Sequence, residues 1–293
     1  MNSTALIHAL VDGVLIGSIY ALMATGLTLI FGVMDIINVA QGALVILGAY
    51  LSYALSVHFH IDLFVGLLIT VPTLFVVGIV IHWAFLGRLK GPEKTAMSIL
   101  VTYAISLVIE GALNMIFSVN PVALTAWYVT KSFPIFGIYV PYINLFGFIL
   151  AAVLLSALYF MLYRSRFGAS VRASLADQTA AALVGINVNR VSTICFGIGV
   201  AVTAAGGMVY GTTTVFNAST SYDLISRLLV IIVLGGMGSL GGALVAGIAM
   251  VTVEDLVNVW SPTWATLSFF LLLVLVLSIR PQGLFGKQTS RVA

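Results

Sequence analysis

The sequence predicts an all-α fold, a polytopic membrane helix bundle, from three observations. Only 7% of the 293 residues are charged, whereas a soluble domain has about 25%. Hydrophobic residues make up 61% and the mean hydropathy is +1.18, more than one core of this size can bury. The apolar residues also form runs of membrane-spanning length, and the chain has room for roughly eight to ten crossings. We therefore expect residues 1–293 to form a single transmembrane domain.

Six apolar runs are long enough to cross a bilayer, and the pattern then becomes broken by glycine. The six runs cover residues 14–33, 40–57, 63–86, 97–117, 142–163 and 191–210. A run at 228–234 is too short to span alone, and it precedes the glycine-rich stretch 235–242. Two further spans follow, at 243–253 and 264–279.

Positive charge predicts the orientation, because loops on the cytoplasmic side collect Lys and Arg. Ten of the twelve basic residues form three clusters, which are Arg88, Lys90 and Lys94, then Arg164, Arg166, Arg172 and Arg190, then Arg280, Lys287 and Arg291. Placing these clusters inside puts the N-terminus outside and the C-terminus in the cytoplasm, with Lys131 and Arg227 facing out. Residues 228–240 must then also penetrate the membrane, as a half-helix with its glycine loop buried in protein, which gives about nine crossings.

Several function classes are excluded by composition. The basic residues form no DNA-binding stripe, so no nucleic acid partner is expected. The single cysteine, Cys195, excludes an intramolecular disulfide and a thiolate metal cluster. His58 and His60 are too few for a zinc site, and no hydrolase or nucleotide-binding motif is present. We expect no catalytic residue, no metal and no cofactor, and hence no enzyme.

Two polar interruptions at membrane depth are the candidate solute pathway, since unpaired polar groups in hydrocarbon cost several kcal/mol. The first contains Asn38, Gln41 and Gly42, between two apolar runs, and the second contains Gly235, Gly236, Gly238 and Ser239. One interruption lies in each half of the chain, as in transporters whose discontinuous helices meet near the midplane. The alternatives are that Asn38 and Gln41 cap a tight hairpin and that the glycines only allow close helix packing.

Three acidic residues lie in or near the predicted spans. Glu110 lies well inside an otherwise apolar run, and we expect it to face the bundle and to form a hydrogen bond with a neighbour. A direct role in transport is the alternative. We expect Glu254 and Asp255 to form a solvated rim near the outer end of their helix.

The polar segment 164–190 has a helix signature of its own. Asp177 can cap a helix over residues 178–184, and Gly185 suits the left-handed position that ends it. That helix presents Ala180 and its two successors, whose small side chains permit close docking into a partner's groove. A simple surface connector is the alternative.

Several separated motifs resemble one family. They are GSIYAL at 17–22, GLT at 26–28, IN at 37–38, GAY at 48–50, AA at 180–181, GIN at 185–187, LGGMGS at 234–239 and RPQGLFG at 280–286. In this order they resemble the H-type permease subunits of bacterial branched-chain amino-acid ABC importers.

The resemblance implies a permease subunit in the bacterial inner membrane that passes branched-chain, hydrophobic amino acids inward. It implies a second permease subunit, two cytoplasmic ATP-binding subunits that hydrolyse ATP, and an external solute-binding protein. Segment 164–190 would then be the cytoplasmic coupling segment. The residues that match the ATPase-docking loop or flank it are Arg172, Thr179, Ala180, Ala181, Gly185 and Asn187.

Departures from the family pattern leave alternatives open. Thr179 stands where that loop often has Glu, and Gln41 and Ala43 stand where relatives often have His and Glu. Relatives also carry urea and short-chain amides, so a permease for those solutes is one alternative. A self-sufficient secondary transporter that depends on Glu110 is another.

Overall fold

The computed structural model describes residues 3–89, 91, 93–135 and 138–286. Three members of the basic clusters, Lys90, Lys287 and Arg291, lie outside the described residues. Within them, eleven α-helices and one β-hairpin are found, and nine helical segments are long and apolar enough to cross a membrane. The expected all-α bundle and the crossing number are confirmed.

The helices follow the apolar runs closely. They are α1 (Ser3–Met34), α2 (Gln41–Phe59), α3 (Leu63–Ala84), α4 (Lys94–Phe117), α5 (Tyr142–Arg164), α6 (Arg166–Ala176), α7 (Gln178–Leu183), α8 (Val188–Thr213), α9 (Ser221–Gly235), α10 (Leu240–Trp260) and α11 (Pro262–Ile279). Short 3-10 turns cover Leu86–Arg88 and Ala218–Thr220. Between α4 and α5, β1 (Ser132–Ile135) and β2 (Ile138–Pro141) pair antiparallel, with Ser132 opposite Pro141.

The α9 segment departs from the sequence expectation. The apolar run begins at Leu228, but α9 begins seven residues earlier and follows the Ala218–Thr220 turn without a break. The extra turns contain Asp223 and Arg227, of which the charge pattern placed Arg227 outside. An ion pair across one turn of the helix stabilises them, with Nε of Arg227 3.1 Å from Oδ2 of Asp223.

Close backbone contacts hold the centre of the bundle together. A Cβ added to Gly17 would lie 2.8 Å from Cα of Ile248, so α1 and α10 touch along their backbones. In α1 and α8, 78% of the most apolar window is buried, whereas in α11 the share is 11%. Helices α1 and α8 are therefore the core of the bundle, and α11 lies at its periphery.

The helix ends gather at two opposite ends of the bundle. The basic end contains Arg88, Lys94, Arg164, Arg166, Arg172, Arg190 and Arg280. It also contains the end of α1, because a Cβ on Gly32 would lie 2.8 Å from Leu175 and 3.5 Å from Gly238.

The opposite end of the bundle, which we call the far end, brings together loops from distant parts of the chain. The Tyr128 hydroxyl donates to Asp62 at 3.0 Å, and Val122 forms a β-bridge with Phe216. Burial, followed by the hydrogen bond to Asp62, raises the pKa of Tyr128 above its ordinary value. The turn before α3, the chain between α4 and α5, and the chain after α8 therefore meet at the far end.

Candidate solute pathway and coupling surface

The chain between α1 and α2 is a non-helical segment that enters the bundle from the basic end. The Thr95 hydroxyl donates to the carbonyl oxygen of Asp35 at 3.0 Å, and the backbone N–H of Val39 donates to the Thr102 hydroxyl at 3.1 Å. Thr95 and Thr102 are seven residues apart on α4, which is about 10 Å along the helix. The segment therefore climbs about that far, with α4 hydroxyls satisfying its backbone.

Asn38 and Gln41 form a closed polar cluster at the top of this segment. Nδ2 of Asn38 donates to Oε1 of Gln41 at 2.8 Å, and Nε2 of Gln41 donates to the Thr203 hydroxyl on α8. All three residues are fully buried. Oδ1 of Asn38 is buried with no hydrogen-bond partner among the described residues, which is uncommon for a buried acceptor. The predicted pathway residues are thus linked, but the chain itself covers them in this conformation.

Gly42 brings the starts of two helices together. A Cβ at Gly42 would lie 2.2 Å from the carbonyl oxygen of Ser221, the first residue of α9. The N-termini of α2 and α9 therefore meet inside the bundle, beside Gln41. Each N-terminus carries the positive end of a helix dipole. Discontinuous helices of this kind form solute sites in transporters.

The glycine run lies at the basic end and is separate from the Asn38 cluster. Gly236 has a φ of 94° and Gly238 a φ of 83°, in the left-handed region that favours glycine. The Ser239 side chain accepts the N–H of Gly242 at 3.1 Å and so caps α10. Gly235 ends α9 and packs against Gly242. The two predicted parts of the pathway are therefore not one site.

The segment 281–286 crosses the glycine run. The backbone N–H of Leu284 donates to the carbonyl oxygen of Leu234 at 2.7 Å, and that of Phe285 donates to Gly235 at 3.2 Å. A Cβ on Gly236 would lie 2.4 Å from the nitrogen of Gly286. The end of α9 is thus held by the RPQGLFG motif, which satisfies its last carbonyls.

A cavity of about 760 Å³ opens beside this crossing. Its walls come from the end of α1, the end of α5, α6, the start of α7 and the glycine run. Its polar lining includes Asp35, Arg172, Ser174, Asp177, Gln178 and Ser239, and its apolar lining includes Phe31, Leu162, Leu175, Met237, Leu240 and Phe285. The cavity is large enough for a small organic solute.

Arg227 is the centre of an ion network inside the bundle, whereas the charge pattern of the sequence placed this residue outside. Its Nη1 donates to Oε2 of Glu254 at 2.6 Å, its Nε lies 3.1 Å from Oδ2 of Asp223, and its guanidinium lies 5.3 Å from the ring centre of Phe269. Arg227 and Glu254 side chains are each 14% exposed, whereas that of Asp223 is 55% exposed. The expectation of an outward-facing Arg227 is wrong, because α9 carries it against the middle of α11.

The expected acidic rim is also wrong. Glu254 pairs with Arg227 instead of facing solvent, and Oδ2 of Asp255 is buried with no hydrogen-bond partner in the described chain. The hydrogen bond expected for Glu110 is confirmed, because its Oε2 accepts the Tyr222 hydroxyl at 2.5 Å. The available signal for the network was the four-residue spacing of Asp223 and Arg227, which predicts a helical ion pair.

The helix expected over residues 178–184 is present as α7, which ends at Leu183, whereas α6 before it was not predicted. The Asp177 side chain accepts the N–H groups of Thr179 at 2.7 Å and Ala180 at 3.0 Å, and Gly185 has a φ of 88°. Ala181 is only 2% exposed, so it packs inward. Leu183 and Val184 are 85% and 76% exposed, and they are the prominent apolar side chains of this turn.

Two residues of the expected docking set serve the fold. Arg172 turns inward, where Nη1 donates to the carbonyl oxygen of Leu162 and the guanidinium lies 5.4 Å from the ring centre of Tyr163. The Asn187 side chain accepts the N–H of Arg190 at 3.0 Å and caps α8. Thr179, Ala180 and the following Ala182 are exposed. No group of three His, Cys, Asp or Glu residues able to hold a metal ion occurs in the described ranges.

Comparisons with known proteins agree on one family. The model of the family described as branched-chain amino acid transport system / permease component matches residues 9–278. The chain is 27% identical to the high-affinity branched-chain amino acid transport system permease protein BraD of Pseudomonas aeruginosa, over 96% of each chain. It is 28% identical to the permease protein LivH of the corresponding Escherichia coli K12 system, over 94% of each. A probable LivH of Methanocaldococcus jannaschii is 27% identical, over 94% of this chain and 92% of that one. No solved structure matches.

Proposed function

The chain belongs to the family of branched-chain amino acid permease components, and from that premise we propose that it is one permease subunit of an ABC importer for branched-chain amino acids. The observation that carries the proposal is the meeting of the α2 and α9 N-termini inside the bundle. Gly42 and Ser221 make this contact in a chain whose family match covers residues 9–278. A bundle with discontinuous helices can bind a solute through free backbone groups and helix dipoles, which a bundle of continuous helices lacks.

The chain acts without chemistry of its own. A second permease subunit completes the pathway, two ATP-binding subunits supply the energy, and an external binding protein delivers the amino acid. ATP binding and hydrolysis bias a two-state equilibrium between outward and inward access. Asn38, Gln41 and Gly42 form the inner part of the pathway, and Gly235, Gly236, Gly238 and Ser239 border its opening at the basic end.

The coupling contact with the ATP-binding subunit is the turn formed by α7 and the residues that follow it. Leu183 and Val184 project from the basic end, beyond the membrane-spanning helices, and an apolar pair so exposed to water favours a partner surface. The Gln178 side chain donates to the carbonyl oxygen of Val33 at 2.8 Å, so α7 is tied to the end of α1. A displacement of α7 therefore moves the wall of the 760 Å³ cavity.

The basic end faces the cytoplasm of the bacterial cell, in the inner membrane. The seven described basic residues at that end support this orientation, because positive loops stay on the cytoplasmic side. The N-terminus is then outside and the C-terminus inside. The names of the relatives given above do not favour a urea or short-amide permease, and membership of a permease-component family does not favour a self-sufficient transporter.

A charge placed in the coupling contact tests the proposal. We expect Leu183→Asp to reduce co-purification of the ATP-binding subunits at least about tenfold, because a carboxylate would be desolvated in an apolar contact. The readout is the amount of ATPase retained on the purified permease pair, together with leucine uptake by reconstituted vesicles.

The matched control is the same change at the far end, at the exposed Val215. Val215→Asp should retain the ATP-binding subunits. Normal retention with Leu183→Asp would place the coupling contact elsewhere. Absence of ATP-dependent leucine uptake by the intact wild-type assembly would contradict the proposed function itself.

A further inference from the structure

One face of α9 is polar and is left uncovered by the described chain. Tyr222, Asp223 and Ser226 are exposed, and the Asp223 side chain is 55% exposed. The segment Ala218–Gly235 nevertheless has the length and hydropathy of a membrane span. A carboxylate facing lipid at this depth costs several kcal/mol, so the face must meet water or protein.

The depth of this face follows from its neighbour on α11. The Arg227 guanidinium lies over Phe269, which is about 10 Å from one end of α11 and about 15 Å from the other. Arg227 joins Asp223 on one side and Glu254 on the other. The ion network therefore lies near the middle of the membrane.

The exposed face continues from this network to the cavity at the basic end. Residues Tyr222, Ser226, Leu229, Val233 and Met237 follow at intervals of three or four, which places them on one side of the helix and its continuation. Ser226 and Tyr222 are polar, Leu229 and Val233 are half-buried, and Met237 is exposed and lines the 760 Å³ cavity. These five residues form a stripe, which we call the α9 stripe; it is polar near the start of α9 and apolar toward the basic end.

The charges along the stripe favour a cation. Arg227 neutralises Glu254, with which it makes the shorter contact of 2.6 Å, and this leaves the exposed Asp223 with a negative charge in excess. Across the face, α4 contributes Glu110, which is hydrogen-bonded to Tyr222. A neutral aliphatic amino acid has one cationic group, its α-ammonium. An ammonium that left its water for Asp223 would form a charge-assisted hydrogen bond.

Resting on the proposed function, we propose that the α9 stripe lines the solute path and that Asp223 binds the α-ammonium of the transported amino acid. Arg227 is a positioning residue that holds the Asp223 carboxylate. The aliphatic side chain slides along Leu229, Val233 and Met237 toward the cavity. Asn38 and Gln41, which belong to the inner part of the proposed pathway, are covered by their own chain in this conformation, whereas the stripe is open.

The first experiment measures leucine uptake by the complete assembly in vesicles. We expect Asp223→Asn to lower uptake at subsaturating leucine at least about tenfold, because the ammonium loses its ionic partner. ATPase stimulation by the loaded binding protein and co-purification of the second permease subunit should remain. Asp223→Glu should recover part of the uptake. Glu93→Gln, at an exposed carboxylate that does not cap α4, should leave uptake unchanged.

Unchanged uptake with Asp223→Asn would overturn the assignment of the ammonium. Loss of the second permease subunit from the Asp223→Asn assembly would also overturn it, because the face would then be a subunit contact.

The second experiment measures whether water reaches the α9 stripe, by thiol labelling instead of uptake. The single native cysteine, Cys195, is fully buried, so the parent chain provides a silent background for a charged thiol reagent that needs water. Ser226→Cys should react, and leucine with its binding protein should slow the reaction at least about threefold by occupying the path. Leu271→Cys, on the exposed apolar surface of α11, should not react.

The two failures are distinguishable. An unreactive Ser226→Cys in an assembly that transports leucine would overturn this inference and leave the proposed function intact. A wild-type assembly without leucine uptake would contradict the proposed function, whereas a reactive Ser226→Cys would still place a water path along α9.

Discussion

Gly42 is the residue on which the meeting of two discontinuous helices depends. A methyl group there would lie 2.2 Å from the Ser221 carbonyl oxygen and 3.0 Å from Cβ of Ile225. Backbone cannot yield as a flexible side chain can, so α2 and α9 would have to separate. We expect Gly42→Ala to lower the thermal unfolding midpoint of the purified chain by several degrees, the size of effect expected for roughly 1–3 kcal/mol of overpacking.

Gly111 provides the matched control. It lies inside α4, and a Cβ there meets nothing within 4 Å. Gly111→Ala should leave the midpoint equal or raise it, because alanine favours a helix interior by up to about 1 kcal/mol over glycine. Equal midpoints for Gly42→Ala and Gly111→Ala in a thermal scan would mean that the α2–α9 contact is not tight.

Residue identity predicted some of the polar sites and not others. Asn38 and Gln41 stand out because they interrupt an apolar stretch, and the structure joins them through one hydrogen bond of 2.8 Å. Arg227 does not stand out, because beside a short apolar run it has the appearance of a loop residue. Its true position depends on Glu254 and Phe269, which come from other helices. Contacts between distant parts of the chain are not visible in local hydropathy.

The boundaries of the helices also divide into those that the local sequence predicts and those that depend on distant contacts. Every apolar run of normal length corresponds to a helix, because a run of about 20 apolar residues has few other structures in a membrane. The helix α7 was also predicted, since Asp177 and Gly185 are strong local signals for its start and end. The start of α9 was missed because its first two turns are polar. The four-residue spacing of Asp223 and Arg227 is a local signal for this helix, but the exposed face that these turns form depends on the packing of the other helices.

At the basic end, segment 281–286 packs over the glycine run, and this contact can be tested at Gly236. Gly236 has a φ of 94°, and a Cβ there would lie 2.4 Å from the nitrogen of Gly286. We expect Gly236→Ala to displace the segment and to speed hydrogen exchange at the amides of Leu284 and Phe285 by about tenfold or more, since both amides donate to carbonyl oxygens at the end of α9. Mass-spectrometric exchange in detergent measures this.

Gly241→Ala is the control for that experiment, because a Cβ at Gly241 meets nothing within 4 Å. Exchange at Leu284 and Phe285 should stay at the wild-type rate. Slow exchange in both variants would mean that the segment is held by contacts other than the α9 carbonyls.

On the scale of the whole molecule, the coupling turn and the cavity share their walls. Gln178, at the start of α7, donates to Val33 at the end of α1, and both Gln178 and Gly238 line the cavity. The contact proposed for the ATP-binding subunit is therefore one turn away from the proposed opening of the solute path. A rigid-body shift of α6 and α7 would change the width of that opening without a rearrangement of the α1–α10 core.

The orientation of the whole bundle can be read from two single-cysteine variants in intact cells. The basic end carries seven described Arg and Lys residues, and on the positive-inside tendency we propose that it faces the cytoplasm. Val215 is exposed at the far end and Glu93 is exposed at the basic end. Val215→Cys should therefore react with a membrane-impermeant maleimide added to cells, and Glu93→Cys should react only after permeabilisation. The parent chain should stay unlabelled in both conditions because Cys195 is fully buried. The reverse pattern would invert the topology and move the coupling turn to the wrong side for a cytoplasmic ATPase.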